Sequence, residues 1–401
     1  MEIVFLQRSQ RWGGSVRSLL ILADTLVKRG HDIAMGVYGI PPFVQSYAEA
    51  GVSVDQIRDH VFEQTTLFRS AAVLRLRRGT PTLLSVPRLA LDTGPSAYAV
   101  RRYLRRRNPS LVHTNEHLRQ NRAEILGAAG TGIPVISHIR GVHRLNAADR
   151  YLAKFVQRFI AVSKAAAEPY LESGVDATRI AVIANATVLP RSIGAAERAM
   201  DRQGLGIGND DVCVATAGRL IHQKGNGLAI RSIAHLASQG LPVKLLILGD
   251  GPDEPSLRSL AASLGIADRV RFGGWSLDPM RSLQLADVVL LSATAPEGFP
   301  RVLVEGQACG LPVVSTPAGG AGEVFDPGIS GLLASSATVE GIAEVLKPLV
   351  CDAGLREQFG RAGRLHAEGA FSVDRHADSV ESVYETALAD AGRRATRNQR
   401  G

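Results

Sequence analysis

Two glutamates, eight positions apart, stand on either side of a turn that contains glycine and proline. Glu297 directly precedes Gly298, and Glu305 follows Pro300 by five residues. A carboxylate repels phosphate, but it accepts hydrogen bonds from hydroxyl groups, which sugars carry in abundance. The N-terminus of a helix instead offers free N–H groups and a positive dipole end, which suit phosphate. The pattern therefore indicates a ligand with phosphate at its centre and hydroxylated rings at both ends, as in a nucleotide-sugar.

The residues around this pair predict a strand, a turn, a helix and a second strand in succession. Residues 287–292 form a short apolar run that is typical of a buried parallel strand. Pro300 suits the first turn of a helix, where its missing N–H has no partner to lose. Gly310 and Pro312 end that helix, and the next strand follows. We therefore expect the helix to begin beyond the carboxyl end of a parallel strand.

A second segment adds two cations. Residues 211–217 predict a strand, and Gly218, Arg219, Lys224 and Gly225 follow it before another helix. When a sugar leaves a diphosphate, negative charge grows on the leaving group, and fixed cations stabilise that charge most in the transition state. Arginine supplies a planar fork for this purpose and lysine a point charge. A chance basic pair at this spacing is the ordinary alternative.

These segments together resemble the retaining glycosyltransferases of family 4. The resemblance rests on Glu-x7-Glu running into Ala308-Cys-Gly-x-Pro-Val-Val-Ser315, and on Gly-Arg-Leu-x3-Lys-Gly from Gly218. It covers nearly the whole chain, densely from 211 to 333 and loosely from 40 to 108. That family has the GT-B fold, so the expected fold class is α/β, with two facing Rossmann-like doubly wound domains.

The resemblance implies a role for each motif residue. Glu297 would lie by the donor sugar and Glu305 would hold the ribose, while the main chain between them would cap the diphosphate. Two solvated carboxylates at a helix end are the alternative. The predicted catalytic residues are Glu297, Arg219, Lys224, Arg140 and His138. The predicted donor-binding residues are Gly13, Gly14, Gly218, Gly225, Gly274, Trp275, Gly298, Phe299, Pro300, Arg301, Val302, Leu303 and Glu305.

The N-terminal half places candidates at two predicted strand ends. Gly13 and Gly14 separate a strand at 2–6 from a helix at 17–29, so they either admit a ligand to the backbone or simply form the turn. Where the family often carries a histidine just before glycine, this chain has Arg140, with His138 two residues earlier. We favour Arg140 as the residue facing the reaction, because a cation can pair with phosphate or with an acidic acceptor. A structural role is the alternative for both residues, and packing is the alternative to base stacking for Trp275.

Charge is distributed unevenly along the chain. Residues 1–195 hold 26 Lys and Arg against 14 Asp and Glu, whereas residues 196–401 are net acidic within an overall charge of +8. Residues 60–108 are rich in arginine, which predicts either a surface for an anionic membrane or acidic acceptor, or a solvated helix face. Nucleic acid is not expected as a partner, because the chain has no recognisable binding module and few interleaved aromatic residues. The arginines in question are Arg69, Arg75, Arg77, Arg78, Arg88, Arg101, Arg102, Arg105, Arg106 and Arg107.

The domain prediction follows these patterns. We expect an acceptor-side domain at 1–188, a linker at 189–210, a nucleotide-sugar-binding domain at 211–370, a helix at 371–390 that crosses back to the first domain, and a disordered tail at 391–401. The three scattered cysteines favour a reducing compartment. No signal peptide and no apolar run of about 18 residues is visible. The expected location is therefore cytoplasmic, with peripheral contact at the inner face of the membrane as an extension of the charge argument.

The expected reaction is retaining transfer of a sugar from a UDP- or GDP-sugar to a hydroxyl group. The acceptor is a glycan, a lipid-linked molecule or a small molecule. No cofactor and no metal is expected, since the resemblance assigns the charge-stabilising role to Arg219, Lys224 and the helix end. Two alternatives stay open. One is another GT-B enzyme, an epimerase or a phosphorylase, and the other is a non-catalytic module that binds a nucleotide-sugar.

Overall fold

The computed structural model describes residues 1–39, 41–57 and 85–399 of the 401-residue chain. Close contacts divide it into two units: Met1–Ala186 with Val373–Gly401 form the first, and Thr187–Ser372 form the second. Each unit is built on one parallel sheet, so the α/β class with two doubly wound sheets is confirmed.

The first sheet has seven strands. The five inner strands are buried on both faces, as is usual in parallel sheets, whereas the two edge strands are partly exposed. The strands are β1 (Glu2–Gln7), β2 (Asp32–Val37), β3 (Ser53–Gln56), β4 (Leu111–Asn115), β5 (Val135–Ile139), β6 (Arg158–Ala161) and β7 (Ile180–Val182). They lie in the order β3-β2-β1-β4-β5-β6-β7, and all neighbours are parallel. The order reverses between β1 and β4, so ligands are expected at the loops that follow these two strands.

Helices cover this sheet. They are α1 (Gly14–Lys28), α2 (Val44–Glu49), α3 (Ser85–Arg107), α4 (Arg122–Ala128), α5 (Ala147–Leu152) and α6 (Lys164–Glu172). α1 shows why the sequence folds in this way: Val16, Leu19, Leu22 and Leu26 recur at helical spacing and are all fully buried against the sheet. It begins three residues earlier than the sequence predicted.

The second sheet has six strands. They are β8 (Val212–Ala217), β9 (Val243–Leu248), β10 (Val270–Gly274), β11 (Val288–Leu291), β12 (Val313–Ser315) and β13 (Gly331–Leu333). Their order is β10-β9-β8-β11-β12-β13, which places the reversal between β8 and β11. The helices of this unit are α7 (Ala195–Gly204), α8 (Asn226–Ser238), α9 (Glu254–Ser263), α10 (Pro279–Leu283), α11 (Arg301–Ala308), α12 (Val339–Cys351) and α13 (Ala353–Ala370).

The last helix, α14 (Val373–Gln399), belongs to the first unit. Arg29, just after α1, forms ion pairs with Asp374, Asp378 and Glu381 of α14, with N–O distances of 2.5–3.1 Å. Tyr384 is fully buried beside the first sheet. The helix runs through most of the segment predicted as a disordered tail, so that prediction was wrong for 391–399.

The predicted linker at 189–210 also contains a helix, α7, and the division of the chain falls between Ala186 and Thr187. α7 was missed because its contacts with the second unit are ionic as well as apolar. Its Arg202 is only 3% exposed and donates to the Asp287 carboxylate at 2.9 Å, to Leu285 O at 2.9 Å and to Asp211 O at 2.6 Å. A helix fixed by a buried guanidinium shows no apolar stripe in the sequence.

The arginine-rich segment lies largely outside the described residues, including Arg69, Arg75, Arg77 and Arg78. In the described part of α3, two arginines have structural partners. Arg101 donates to the carbonyl groups of Leu126, Gly127 and Ala129, and Arg107 pairs with Glu2 at 3.0 Å. Arg102, Arg105 and Arg106 are exposed. Of the helices in the described ranges, none combines the length and the apolar character that a membrane span needs.

Replacing Arg202 with methionine should destabilise the second unit by about 2–4 kcal/mol, because four buried or partly buried acceptors lose their donor. Urea unfolding followed by circular dichroism measures the change. Arg231→Met is the matched control, since Arg231 is exposed on α8 and its loss should cost under about 0.5 kcal/mol. If both variants unfold alike, the buried guanidinium does not fix α7.

Candidate active site

Two loops meet where the order of the second sheet reverses: residues 218–225 follow β8, and residues 292–300 follow β11. The Thr294 N–H donates to Gln223 O at 3.0 Å, and the Ser292 hydroxyl donates to Gly225 O at 3.0 Å. Gly225 has a left-handed backbone (φ 68°), and a Cβ atom there would lie 1.8 Å from Ser292 O. Only glycine permits this approach, so the sequence motif has a steric cause.

The approach brings Lys224 opposite Glu297. The lysine Nζ lies 2.8 Å from the glutamate Oε1, and the two side chains are 28% and 19% exposed. The main chain of Glu297 is fixed as well: its N–H donates to Ala318 O at 3.3 Å, and its carbonyl accepts from the Gly320 N–H at 2.9 Å. Three loops therefore hold one carboxylate and one ammonium group side by side. The carboxylate can accept a hydrogen bond from a hydroxyl group, and the ammonium group can pair with an anion.

Arg219 lies on the same loop as Lys224, directly after Gly218. Its side chain is exposed, and within the described residues its guanidinium has no hydrogen bond or ion pair. A guanidinium in water without a carboxylate partner is well suited to a bidentate contact with phosphate. The structure thus brings together the two predicted cations and the first predicted glutamate.

The helix α11 begins at Arg301 with Pro300 as its N-cap, which is the helix start that the sequence predicted. The side chains of Val302 and Leu303 are buried, with 6% and 0% exposed. Phe299 is also buried and packs edge-on against Phe371, with ring centroids 5.6 Å apart. These three side chains serve the core, so they can meet a ligand only through their backbone. The first-turn N–H groups of a helix have no partner within that helix.

Glu305 has a partner that the sequence did not predict. The Arg301 Nη2 and Nε atoms lie 3.0 and 3.1 Å from Glu305 Oε1, and the two side chains are only 9% and 6% exposed. The family resemblance implies only that the main chain of Arg301 helps to cap the diphosphate. Its guanidinium also fixes the position of the carboxylate predicted to bind ribose.

Gly274 ends β10, two strands away from β8, and Trp275 follows it. Gly274 O accepts from the Gly249 N–H at 2.6 Å, which ties this turn to the end of β9. Trp275 is 50% exposed, so it is not a core residue. Half of the indole is therefore in contact with the protein and half is open to a ligand, so stacking on a base stays a prediction beside the packing alternative.

In the first unit, Arg140 lies at the carboxyl end of β5. Its Nε donates to Asn115 Oδ1 at 2.7 Å, and a second guanidinium nitrogen donates to Asn185. The Asn115 amide in turn donates to Gln7 Oε1 at 2.7 Å. Arg140 is thus held by Asn115 at the end of β4, which Gln7 of β1 positions in turn, and by Asn185, which follows β7; it is half-buried.

His138 lies in a different environment. It is fully buried, and its Nδ1 lies 3.2 Å from His113 Nε2, whose Nδ1 lies 2.6 Å from the Tyr384 hydroxyl. Burial, followed by the charge of Arg140, lowers the pKa of both imidazoles well below the ordinary value. His138 therefore stays neutral and fully buried, whereas Arg140 is half-buried at the carboxyl end of β5.

Two further residues of the first unit are Gly13, which directly precedes α1, and Glu116, which directly follows β4. Gly13 has an extended backbone (φ −168°), and no atom lies within 4 Å of its would-be Cβ, so neither strain nor crowding requires glycine there. Glu116 follows β4 and was missed by the sequence reasoning. It has a φ of 140°, which is strained for a residue with a side chain. Burial raises the pKa of its carboxyl group, while the Ser15 hydroxyl and Arg140 act in the opposite direction.

Among the residues that the structure describes, no group of three or more histidine, cysteine, aspartate or glutamate side chains is placed to hold a metal ion.

Solved structures share this architecture. Anabaena Alr3699/HepE in complex with UDP and glucose matches 96% of this chain and 99% of its own, with a TM-score of 0.79 at 22% identity. WaaG, a glycosyltransferase involved in lipopolysaccharide biosynthesis, matches 94% and 98%, with a TM-score of 0.67 at 17% identity. The protein therefore has the GT-B fold, as predicted.

Two family models then identify the chain. Residues 12–189 match Glycosyltransferase Family 4, and residues 197–366 match glycosyl transferases group 1. The chain belongs to this glycosyltransferase family, and the predicted resemblance is confirmed.

Curated relatives agree with the family. Lipopolysaccharide core biosynthesis glycosyltransferase LpsE of Rhizobium meliloti is 34% identical over 200 residues, covering 50% of this chain and 56% of the relative. D-inositol 3-phosphate glycosyltransferase of Gordonia bronchialis is 31% identical over 292 residues, covering 69% and 61%. The matched part of the chain thus spans a little over half the length of these relatives.

The close approach at Gly225 gives a structural test. Gly225→Ala should destabilise the protein by at least about 2 kcal/mol more than Gly240→Ala, because both residues have positive φ but only Gly225 has an atom in the way of a Cβ. Urea unfolding compares the two variants. Equal losses would mean that the two loops separate easily.

Proposed function

We propose that the protein transfers a sugar from a nucleotide-diphosphate-sugar, with UDP or GDP as the nucleotide, to a hydroxyl group of an acceptor. The anomeric configuration is retained and no metal takes part. The observation that carries this proposal is the Lys224–Glu297 pair at the reversal of the second sheet, on loops that also hold the exposed Arg219. The UDP in the Anabaena structure, of the same fold, supports the choice of a nucleotide.

The geometry suggests how the leaving group is stabilised. As the bond between the anomeric carbon and the diphosphate oxygen breaks, Arg219 and Lys224 offset the negative charge, and the N-terminus of α11 adds its N–H groups. A ligand hydroxyl can then replace the lysine at Glu297. Glu305, fixed by Arg301, is the proposed partner of the ribose.

No side chain is proposed as a covalent nucleophile. Retaining glycosidases place two carboxyl groups about 5 Å apart across the bond that breaks. Here Glu297 and Glu305 belong to one turn and its helix, and both are assigned to the donor. We therefore propose that the acceptor oxygen attacks from the leaving-group face. A diphosphate oxygen takes the acceptor proton as the new glycosidic bond forms.

The acceptor is assigned to the first unit. Arg140 and Glu116 stand at the reversal of its sheet, where one can pair with an anionic group and the other can accept from a hydroxyl. A glycan, a lipid-linked molecule and a small molecule all fit this description. Cytoplasmic location, with peripheral contact at an anionic membrane, belongs to the same proposal, and the exposed Arg102, Arg105 and Arg106 are its support.

The donor assignment predicts nucleotide binding without metal. In a thermal-shift panel of UDP, GDP, ADP and TDP, one base should raise the melting temperature in the absence of Mg²⁺. A ligand at about 100 times its dissociation constant adds roughly 2.7 kcal/mol to the stability. A flat panel for the unmodified protein would contradict the donor site.

Substitutions at the site separate catalysis from simple binding. Arg219→Ala should lower kcat for transfer by about 100-fold, because it removes a cation from the leaving diphosphate. Glu297→Gln should remove most transfer while the nucleotide diphosphate still binds. Glu344→Gln, on the exposed face of α12, is the control. Full turnover by the Glu297 variant would overturn the site, and nucleotide binding without any transfer or donor hydrolysis would favour the binding-module alternative.

Arg140→Lys tests the acceptor side. It keeps the charge but loses the fork that contacts Asn115 and Asn185, so kcat/KM for the acceptor should fall by about tenfold or more. The melting shift with UDP or GDP should not change. A loss of nucleotide binding in this variant would show that Arg140 serves the donor instead.

A further inference from the structure

A cleft opens in the first unit beside the proposed acceptor residues, since its lining includes His117 and His143, which follow Glu116 and Arg140 closely in the chain. It has a volume of about 410 Å³ and lies between the loops that follow β4 and β5, with α5 and α6 beneath them. Its polar lining consists of His117, Arg119, His143, Arg144, Asp149 and Tyr170. This volume lies within the range of small-molecule sites.

Two imidazoles meet in this cleft. The rings of His117 and His143 have centroids 3.9 Å apart and are inclined by 53°. His117 Nδ1 is buried and has no hydrogen-bond partner among the described residues. Buried polar atoms without a partner are rare in folded proteins, and an absent ligand or water is a usual reason.

The surrounding charges favour an anion in the cleft. Arg144 is exposed, and Arg119 is 60% exposed with its Nε 3.8 Å from Asp149. The Asp149 carboxylate is already satisfied: it is buried and accepts from Arg122 Nε at 2.9 Å and Nη2 at 2.7 Å. The cleft is thus lined by two arginines, Arg119 and Arg144, and by one carboxylate, Asp149, whose charge is already offset by Arg122. The excess positive charge opposes a metal ion and attracts a negatively charged group.

We propose that this cleft binds a phosphate ester group, with Arg119 and Arg144 as its cations and His117 and His143 as hydrogen-bond donors. Four donors of this kind match the several oxygens of a phosphate dianion. The cleft also has room for the part of the molecule that carries the phosphate. The cleft lies in the unit assigned to the acceptor, so we assign the phosphate ester to the acceptor molecule. This assignment rests on the proposed function.

Binding should be coupled to protonation. Burial first, then His143 and Arg119, lowers the pKa of His117 to about 4, and burial with Arg119 lowers the pKa of His143. The other groups that face His117 are Arg122 and Asp149, which act in opposite directions. Tyr170 stays neutral, because burial raises the pKa of its phenol. A bound dianion would raise the pKa of both imidazoles.

The first test is a histidine NMR titration of the full-length protein, with His117→Gln and His143→Gln used to assign the signals. Inorganic phosphate and glycerol 3-phosphate should each raise the pH at which these two imidazoles titrate, whereas glycerol should not. Calorimetry should show affinity at least about tenfold weaker in the Arg119→Ala/Arg144→Ala double variant. Lys28→Ala, an exposed cation on α1 of the same unit, should bind as the unmodified protein does. Unchanged His117 and His143 signals with both phosphates, or equal binding by the double variant, would overturn the proposal.

Two further arms identify the source of the phosphate and separate this proposal from the donor site. The protein should sediment with phosphatidic acid vesicles if the phosphate belongs to a lipid headgroup. Glycerol 3-phosphate should then reverse this binding, and the double variant should not sediment. Binding of free glycerol 3-phosphate alone indicates a soluble ester. Both results support the cleft. The UDP and GDP melting shifts, measured in parallel, should be the same in the double variant. If phosphate binds but neither UDP nor GDP raises the melting temperature, the phosphate site is supported and the proposed transferase function is contradicted.

Discussion

The candidate active site depends on how closely two stretches of main chain approach each other at the end of the second sheet. Ser292, after β11, and Gly225, after β8, lie so near that a methyl group would not fit between them. Hydrogen bonds from Ser292 and Thr294 hold the loops in this position. Because the backbone is fixed, Lys224 and Glu297 face each other without having to order long flexible segments. A ligand that displaces this ion pair finds both charged groups already in place.

The polar residues at the carboxyl ends of the strands have different surroundings in the two units. In the second unit, charged groups are exposed or paired with one another on short loops. In the first unit, Gln7, Asn115 and Arg140 form a connected set of side-chain hydrogen bonds across β1, β4 and β5. Such a network is costly if one member is lost, because each buried group then lacks a partner. The first unit therefore offers a rigid surface, whereas the second offers charged groups that can change partners.

The sequence predicted the parts of this molecule that depend on local patterns. Apolar runs marked most strands, and the motif around Gly218–Gly225 predicted the loop between β8 and α8 that carries Arg219 and Lys224, because its spacing follows from the strand–turn–helix path. What it could not reveal depends on distant contacts. The burial of Arg202 in α7 leaves no apolar stripe in the sequence. The pairing of Arg301 with Glu305 is the exception, since it joins positions i and i+4 of one helix and could have been inferred from their spacing. The strain at Glu116 and the meeting of His117 with His143 arise only when separate strand ends come together.

The return of α14 to the first unit has a consequence for synthesis on the ribosome. Tyr384 fills the space beside His113, and the carboxylates of α14 neutralise Arg29. The first unit therefore lacks one of its core helices until the whole of Thr187–Ser372 has been translated. The second unit, although it starts later in the chain, is the first to have all of its residues available. A nascent chain must therefore protect an incomplete apolar surface near its amino end for about half of its elongation time, and that surface is where a chaperone would be needed most.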